Sequence, residues 1–238
     1  MTALIRGELI KTVSTRTALG YLAIGAALAV VNVVIVSQFS VLDTVSDKRD
    51  ALAGLPILLL LFGLVGAAGE YRHGTAVPAA LVARHGRGWL LVARAGAYAA
   101  TGLAIAAVMV AVSLAVGLPL VANEPGPRLP VGDIALVAGG SLLAAALSAT
   151  IGVAVGALVR NQVAGVVGAL ILVFLGMELL AAVNEDAVGF TPFGAAAILA
   201  GDPGGGTLSW GAAALVMAIW MTPLLIAAIA AERRRDLA

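Results

Sequence analysis

Apolar positions along this chain fall in runs too long and too unbroken for the alternating patterns of a water-soluble fold. Six stretches, about 18–37, 53–69, 95–121, 133–158, 163–183 and 210–231, are almost free of charge. Each is close to or above the ~20 residues that cross a ~30 Å hydrocarbon core as a helix. They predict an all-α polytopic membrane protein with six transmembrane helices in one transmembrane domain, residues 1–238. Pro56 falls in the first turn of the short second span, where proline is tolerated. The third span is long enough to tilt or to continue beyond the bilayer. Ahead of them, residues 2–17 carry Ile5, Leu9 and Val13 at i, i+4, i+8, with Glu8, Lys11 and Thr15 elsewhere on the wheel. Arg6 and Arg16 flank that stripe, where their stems can snorkel. The pattern predicts a helix lying in the membrane interface. Between the last two spans, the apolar run Phe190–Leu199 is too short to cross. It is expected to dip into the outer leaflet or lie along it, before the turn-rich break at 201–206.

Composition strengthens this picture. Charged residues make up 11% of the 238 and hydrophobic ones 61%, with a mean hydropathy of +1.07. A soluble domain carries about 25% charged residues, so this chain lacks the polar surface to face water all round. No cysteine is present, which excludes disulfides and thiolate chemistry. The first apolar run is too long for a signal core and leads to Asp43 without a clear cleavage site, so the first span is expected to stay. Sorting charges by side orients the helices. With both termini inside, inner segments hold eleven of the fourteen basic residues, leaving Lys48, Arg49 and Arg128 outside among eight acids. That asymmetry is the positive-inside signal and predicts that both termini are cytoplasmic.

Small residues recur within the spans. Gly63, Gly66 and Gly69 follow one face of the second; Ala145, Ser148, Gly152 and Gly156 follow one face of the fourth. Such stripes let helix backbones approach closely in lipid, and the fourth-span stripe predicts a packing face.

Catalytic chemistry is not indicated. The chain has no GxxxxGK[ST] phosphate loop, no HExxH and no GxSxG. His73 and His85 lack neighbouring ligands, so no metal site is expected. Glu178 lies inside the fifth span, five residues before Val183, hence ~7–8 Å below its outer end. Intramembrane acids usually face a protein or aqueous interior, which leaves two readings: a translocation path or subunit interface, or a carboxylate reaching the outer interface. Asn32 is a weaker candidate of the same kind, and Phe190 and Phe193 of the outer run complete the path candidates.

The longest polar interruption on the inner side is EYRHGTAVPAALVARHGRGWLLVAR, Glu70–Arg94. It sets Arg72, Arg84, Arg87 and Arg94 against the single acid Glu70. From this point the chain resembles the membrane subunit of ATP-binding-cassette exporters of the type-two class. The resemblance is carried by GEYRHGT, Gly69–Thr75, after the second span, and continues into RGWLLVAR, Arg87–Arg94. There the family often has an arginine followed seven residues later by a lysine; Arg94 keeps the charge but not the shape. FTPFGAAAILAG, Phe190–Gly201, looks like the family's extracellular re-entrant hairpin, and ERRRDL, Glu232–Leu237, like its basic ending. Leader, six spans and ends cover nearly the whole chain in the family's order.

The resemblance implies a pair of permease copies, each docking a separate ATPase that carries the ATP and Mg, with no cofactor on this chain and no nucleic acid. The helix after Thr75, about Ala76–Ala83 with Pro78 in its first turn, would be the cytoplasmic coupling helix. Docking would use Glu70, Arg72, His73, Gly74, Thr75, Arg84 and Arg87 around the apolar Val77 and Leu81. The cargo expected is hydrophobic or amphipathic: a drug, peptide or lipid. The alternative is a secondary transporter or channel with Glu178 as its ion or proton site; against it stand the missing inverted repeat and paired helix breaks.

Overall fold

A computed structural model describes residues 2–72, 87–201 and 208–234. Within them every regular element is helical and no strand occurs. In chain order these are α1 (Thr2–Ser14), α2 (Arg16–Phe39), α3 (Val45–Ala51), α4 (Pro56–Arg72), α5 (Arg87–Ala122) and α6 (Val131–Val159). They continue as α7 (Gln162–Ile171), a π-helical turn (Leu172–Gly176), α8 (Met177–Val183), α9 (Glu185–Val188), α10 (Pro192–Ala200) and α11 (Trp210–Arg234). Six helical segments are long and apolar enough to cross a membrane: α2, α3–α4, α5, α6, the run from α7 through α8, and α11. This fits a multi-pass membrane protein, and the helical segments lie within a few residues of the stretches expected from the sequence except at the start of the second, at Val45, and at the start of the third. There α5 begins at Arg87, and its 36 residues measure about 54 Å, well beyond a ~30 Å core.

The centre of the bundle is the packing of α4 on α6. A Cβ at Gly63 would collide with the carbonyl of Ala149, and one at Gly152 with the carbonyl of Leu60. Only glycine allows this approach, and the mutual contact replaces the hydrophobic drive that lipid does not supply. Ala145 and Ser148 are buried on the same face of α6. The small-residue stripe of the second span is only partly used. Gly63 and Gly66 are filled by α6 and by Tyr98, whereas Gly69 faces open space. Phe62 sits between Tyr21 and Tyr98, with ring centroids 5.2 and 4.9 Å away, tying α2, α4 and α5 together. The fifth and last spans are largely exposed, their apolar side chains covering the outside of the bundle.

At the end of the bundle away from the arginine-rich termini, α3 caps the helices. A reciprocal capping box between Thr44 and Asp47 starts it, which satisfies two otherwise orphan donors. Its Lys48 is fully buried, with the ammonium donating to the carbonyls of Glu124 (3.3 Å) and Pro127 (3.1 Å). Arg49 pairs with Asp133 at 3.4 Å. The Phe190–Leu199 run does not lie along the bundle's outside. Ala195, Ala196, Leu199 and Ala200 are buried among α6, α11 and α4. The indole N–H of Trp220 donates to the carbonyl of Phe190 at 2.9 Å, ten residues or ~15 Å along α11 from Trp210. The segment therefore inserts deep into the bundle. Thr191 caps α10 by accepting from the N–H of Gly194 (3.0 Å), and Gly201, at φ +110°, ends it.

Candidate functional site

Where α4 reaches the arginine-rich end, its last turn carries Glu70 and Tyr71, and five helices meet around these two residues. α1 is the first. Its stripe of Ile5 and Val13 faces outward, and its polar side, Glu8 and Thr12, is buried against α5. The hydroxyl of Thr101 donates to that of Thr12 at 3.3 Å, and Thr12 donates in turn to the carbonyl of Glu8. An amphipathic helix in an interface gives its apolar side to lipid; here the polar side is left for ion pairing with the bundle.

Arg94 stands two turns inside α5 and is only 3% exposed. Its guanidinium donates to the carboxylate of Glu70 and lies 3.6 Å from that of Glu8. Lys11 donates to the second oxygen of Glu70 and lies 3.7 Å from Glu8. Among the described residues two acids and two bases from α1, α4 and α5 thus meet in one cluster. Mutual pairing is what makes it tolerable, because an unpaired charge in this setting would cost several kcal/mol. From within α5 the planar fork of Arg94 directs separate N–H groups at Glu70 and Glu8, whereas a lysine ammonium presents a single point charge.

Tyr71 makes the second half of the junction. Its hydroxyl donates to Glu232, in the last turn of α11. Arg160 donates to the same carboxylate oxygen at 3.0 Å and lays its guanidinium over the Tyr71 ring, 4.6 Å from the centroid. That placement depends on the corner between α6 and α7. Arg160 closes α6 in a left-handed conformation, φ 56°, and Asn161 caps α7 by accepting from the N–H of Ala164. A non-glycine residue held there is strained, and the Tyr71–Arg160–Glu232 contacts hold it. Beside the junction a cleft of about 360 Å³ is lined by Lys11, Glu70, Gly66, Tyr98 and Gln162.

These contacts define what the sequence-predicted docking residues do. Glu70 is 5% exposed and its carboxylate points into the bundle; it organises the helix end rather than offering an accessible charge. Arg72, two residues later, is exposed. His73, Gly74, Thr75, Val77, Leu81 and Arg84, with the whole expected coupling helix, lie outside the described residues, as does the side chain of Arg87. Among the described residues no group of three or more His, Asp or Glu side chains is placed to hold a metal ion.

The path candidates divide. Asn32 and Phe193 meet on one cleft of about 370 Å³, between α2, the start of α4, the π turn and α10. Glu178 and the Phe190 side chain are exposed on the single chain and do not line it. Sequence reasoning missed Glu8, Tyr71, Arg160 and Glu232 as partners, and Trp220 as the anchor of the inserted segment. The last had a legible signal: an indole N–H in mid-span needs an acceptor.

No family model matches this chain, and no curated protein matches it.

Proposed function

We propose that this chain is the permease subunit of an ATP-driven exporter of the ATP-binding-cassette type-two class, moving a hydrophobic or amphipathic substrate across the bacterial plasma membrane. The arginine-rich end is cytoplasmic, with both termini there. α1 is the interfacial helix, and the inserted Phe190–Gly201 segment is a re-entrant hairpin entering from outside. Residues 73–86 form the coupling segment that docks a separate ATPase, which binds ATP and Mg, and a second permease copy completes the translocation path.

One observation carries this reading. The stretch identified by its resemblance to the family's coupling segment continues from a helix end at which α1, α5, the α6–α7 corner and α11 are all tied. A displacement of 73–86 would act on the end of α4 at Glu70 and Tyr71 and on the start of α5, and through their contacts on α1, the α6–α7 corner and α11. Helices joined by discrete ion pairs move as units, the physical basis for a push at one end reaching a distant site.

The test is reconstitution. The purified chain alone is expected not to hydrolyse ATP, and with its ATPase it is expected to transport an amphiphile in an ATP-dependent way. Arg87→Ala should lower transport per ATP consumed at unchanged yield. Steady hydrolysis by the isolated chain overturns the reading. So does transport driven by a proton gradient without ATP and abolished by Glu178→Gln, which would establish the secondary transporter instead.

A further inference from the structure

The cleft beside the Glu70 junction holds polar groups that the fold itself does not use. Tyr98 is only 8% exposed, and its ring packs on Phe62. Its hydroxyl lies across Gly66, where a Cβ would collide with it, and both residues line the cleft. That hydroxyl makes no hydrogen bond with any described residue. Phenylalanine would keep the ring packing, so packing does not explain a buried hydroxyl left unmet, which is unfavourable in itself. A partner in the cleft removes that penalty.

A second, independent feature lies on the same wall. Gly69 of α4 lines the cleft, and a Cβ there would meet nothing within 4 Å. Glycine is a poor helix residue, and here no packed neighbour requires it. Its backbone is left open to close approach by a ligand, one of the uses glycine serves.

The free groups define the ligand's chemistry. Thr17 in the first turn of α2 and Gln162 at the start of α7 complete the lining, and neither side chain bonds a described residue. With Tyr98 they make two hydroxyls and an amide, each able to donate and to accept. A carboxylate only accepts and an ammonium only donates, whereas the hydroxyls of a sugar do both. The charged residues of the described lining, Lys11 and Glu70, are bonded to each other, and recognition of a sugar calls on neither.

The flanks of the cleft point to a lipid as the bearer of that sugar. Exposed apolar side chains follow Thr17 along α2, at Leu19 and Ile24, and follow Gln162 along α7, at Val163 and Val167. Both helices are long and apolar enough to belong to membrane spans, so acyl chains lie along these faces while a head at the span ends reaches the cleft. We infer that the cleft binds the uncharged sugar headgroup of a membrane glycolipid, with Tyr98, Thr17 and Gln162 bonding its hydroxyls against the open backbone of Gly69. At about 360 Å³ it is near the lower end of the roughly 300–1,000 Å³ of small-molecule pockets, room for a head and not for its chains. The site goes beyond the transport reading and does not depend on it.

The experiment titrates the full-length chain, in detergent micelles and without an ATPase, with monogalactosyl diacylglycerol, counting bound lipid by native mass spectrometry. Saturable binding of one lipid per chain is expected, tighter than that of phosphatidylcholine or phosphatidic acid. Tyr98→Phe should weaken it about 3- to 10-fold, the range for losing one hydrogen bond. Gly69→Leu, on a different helix, should fill the cleft and abolish binding at an unchanged melting temperature. Free galactose should fail to displace the lipid. Equal binding of either phospholipid, displacement by free galactose, or unchanged affinity in either variant overturns the inference. Because no ATPase is present, these outcomes decide the site alone and leave the permease reading to the reconstitution.

Discussion

The guanidinium of Arg94 on α5 donates to the carboxylate of Glu70 on α4, and both side chains are almost completely buried. This bond is the centre of a cluster that Glu8 and Lys11 complete from α1. Three helices are thereby tied together at this end of the bundle. From this cluster α4 runs on into residues 73–86, and α5 begins directly after them at Arg87.

Breaking this pair is expected to be far worse than replacing it. Arg94→Ala takes the buried guanidinium away from two buried acids, and uncompensated buried charge costs about 3–5 kcal/mol. Arg94→Lys should be intermediate, keeping the contact to Glu70 and losing the reach to Glu8. The double variant Arg94→Met with Glu70→Leu should regain most of the loss, since an apolar pair of similar volume carries no desolvation penalty. Thermal unfolding in detergent across this cycle checks it. Equal stability for Arg94→Ala and the double variant would show that the cluster is not one unit.

The glycine contacts make a sharper contrast. Gly152→Ala would drive a Cβ into the carbonyl of Leu60, while Gly69→Ala meets nothing within 4 Å. Backbone cannot yield as a flexible side chain does, so the first variant should separate α4 from α6 and lose several degrees of unfolding temperature, an overpacking penalty of about 1–3 kcal/mol. The second should match the parent or exceed it slightly, because alanine favours the helix by about 1 kcal/mol over glycine. Monodispersity and melting temperature of the two proteins, purified side by side, decide the point. A tolerant Gly152→Ala would mean that the α4–α6 approach is looser than described.

The spans were legible because length and apolarity are one-dimensional constraints: a helix that must cross ~30 Å of hydrocarbon announces itself. Gly152 was legible for a related reason, since small residues at four-residue spacing share one face whatever they pack against. Glu70 was legible as an anomaly but not in its role. Alone, an acid among arginines reads as a docking point. Its partners sit 24 residues later in α5 and 59 residues earlier in α1, and no local pattern links them. The same holds for Tyr71, Arg160 and Glu232, whose meeting depends on a left-handed residue at a helix corner. Phe193 and Phe190 are three residues apart and indistinguishable by composition. The turn at Thr191 sends Phe193 to the cleft and leaves Phe190 outside, joined to α11 only through its carbonyl.

Orientation in the membrane follows from charge and is open to direct measurement. Arg72 and Arg234 are exposed at the arginine-rich end, and Arg128 is exposed at the opposite one. Short loops rich in arginine stay on the cytoplasmic side, so the first two should face the cytoplasm and the third the exterior. The absence of native cysteine makes the chain a clean background for single-thiol labelling. In intact cells a membrane-impermeant maleimide is expected to react with Arg128→Cys and to leave Arg72→Cys and Arg234→Cys untouched until the membrane is permeabilised. The three positions differ in their neighbours as well as in side, so a fourth is informative. Ser46→Cys, on α3 at the far end, should label with Arg128→Cys. Labelling of Arg72→Cys in intact cells would invert the bundle, place the 73–86 segment beyond the reach of any cytoplasmic ATPase, and end the permease reading at once.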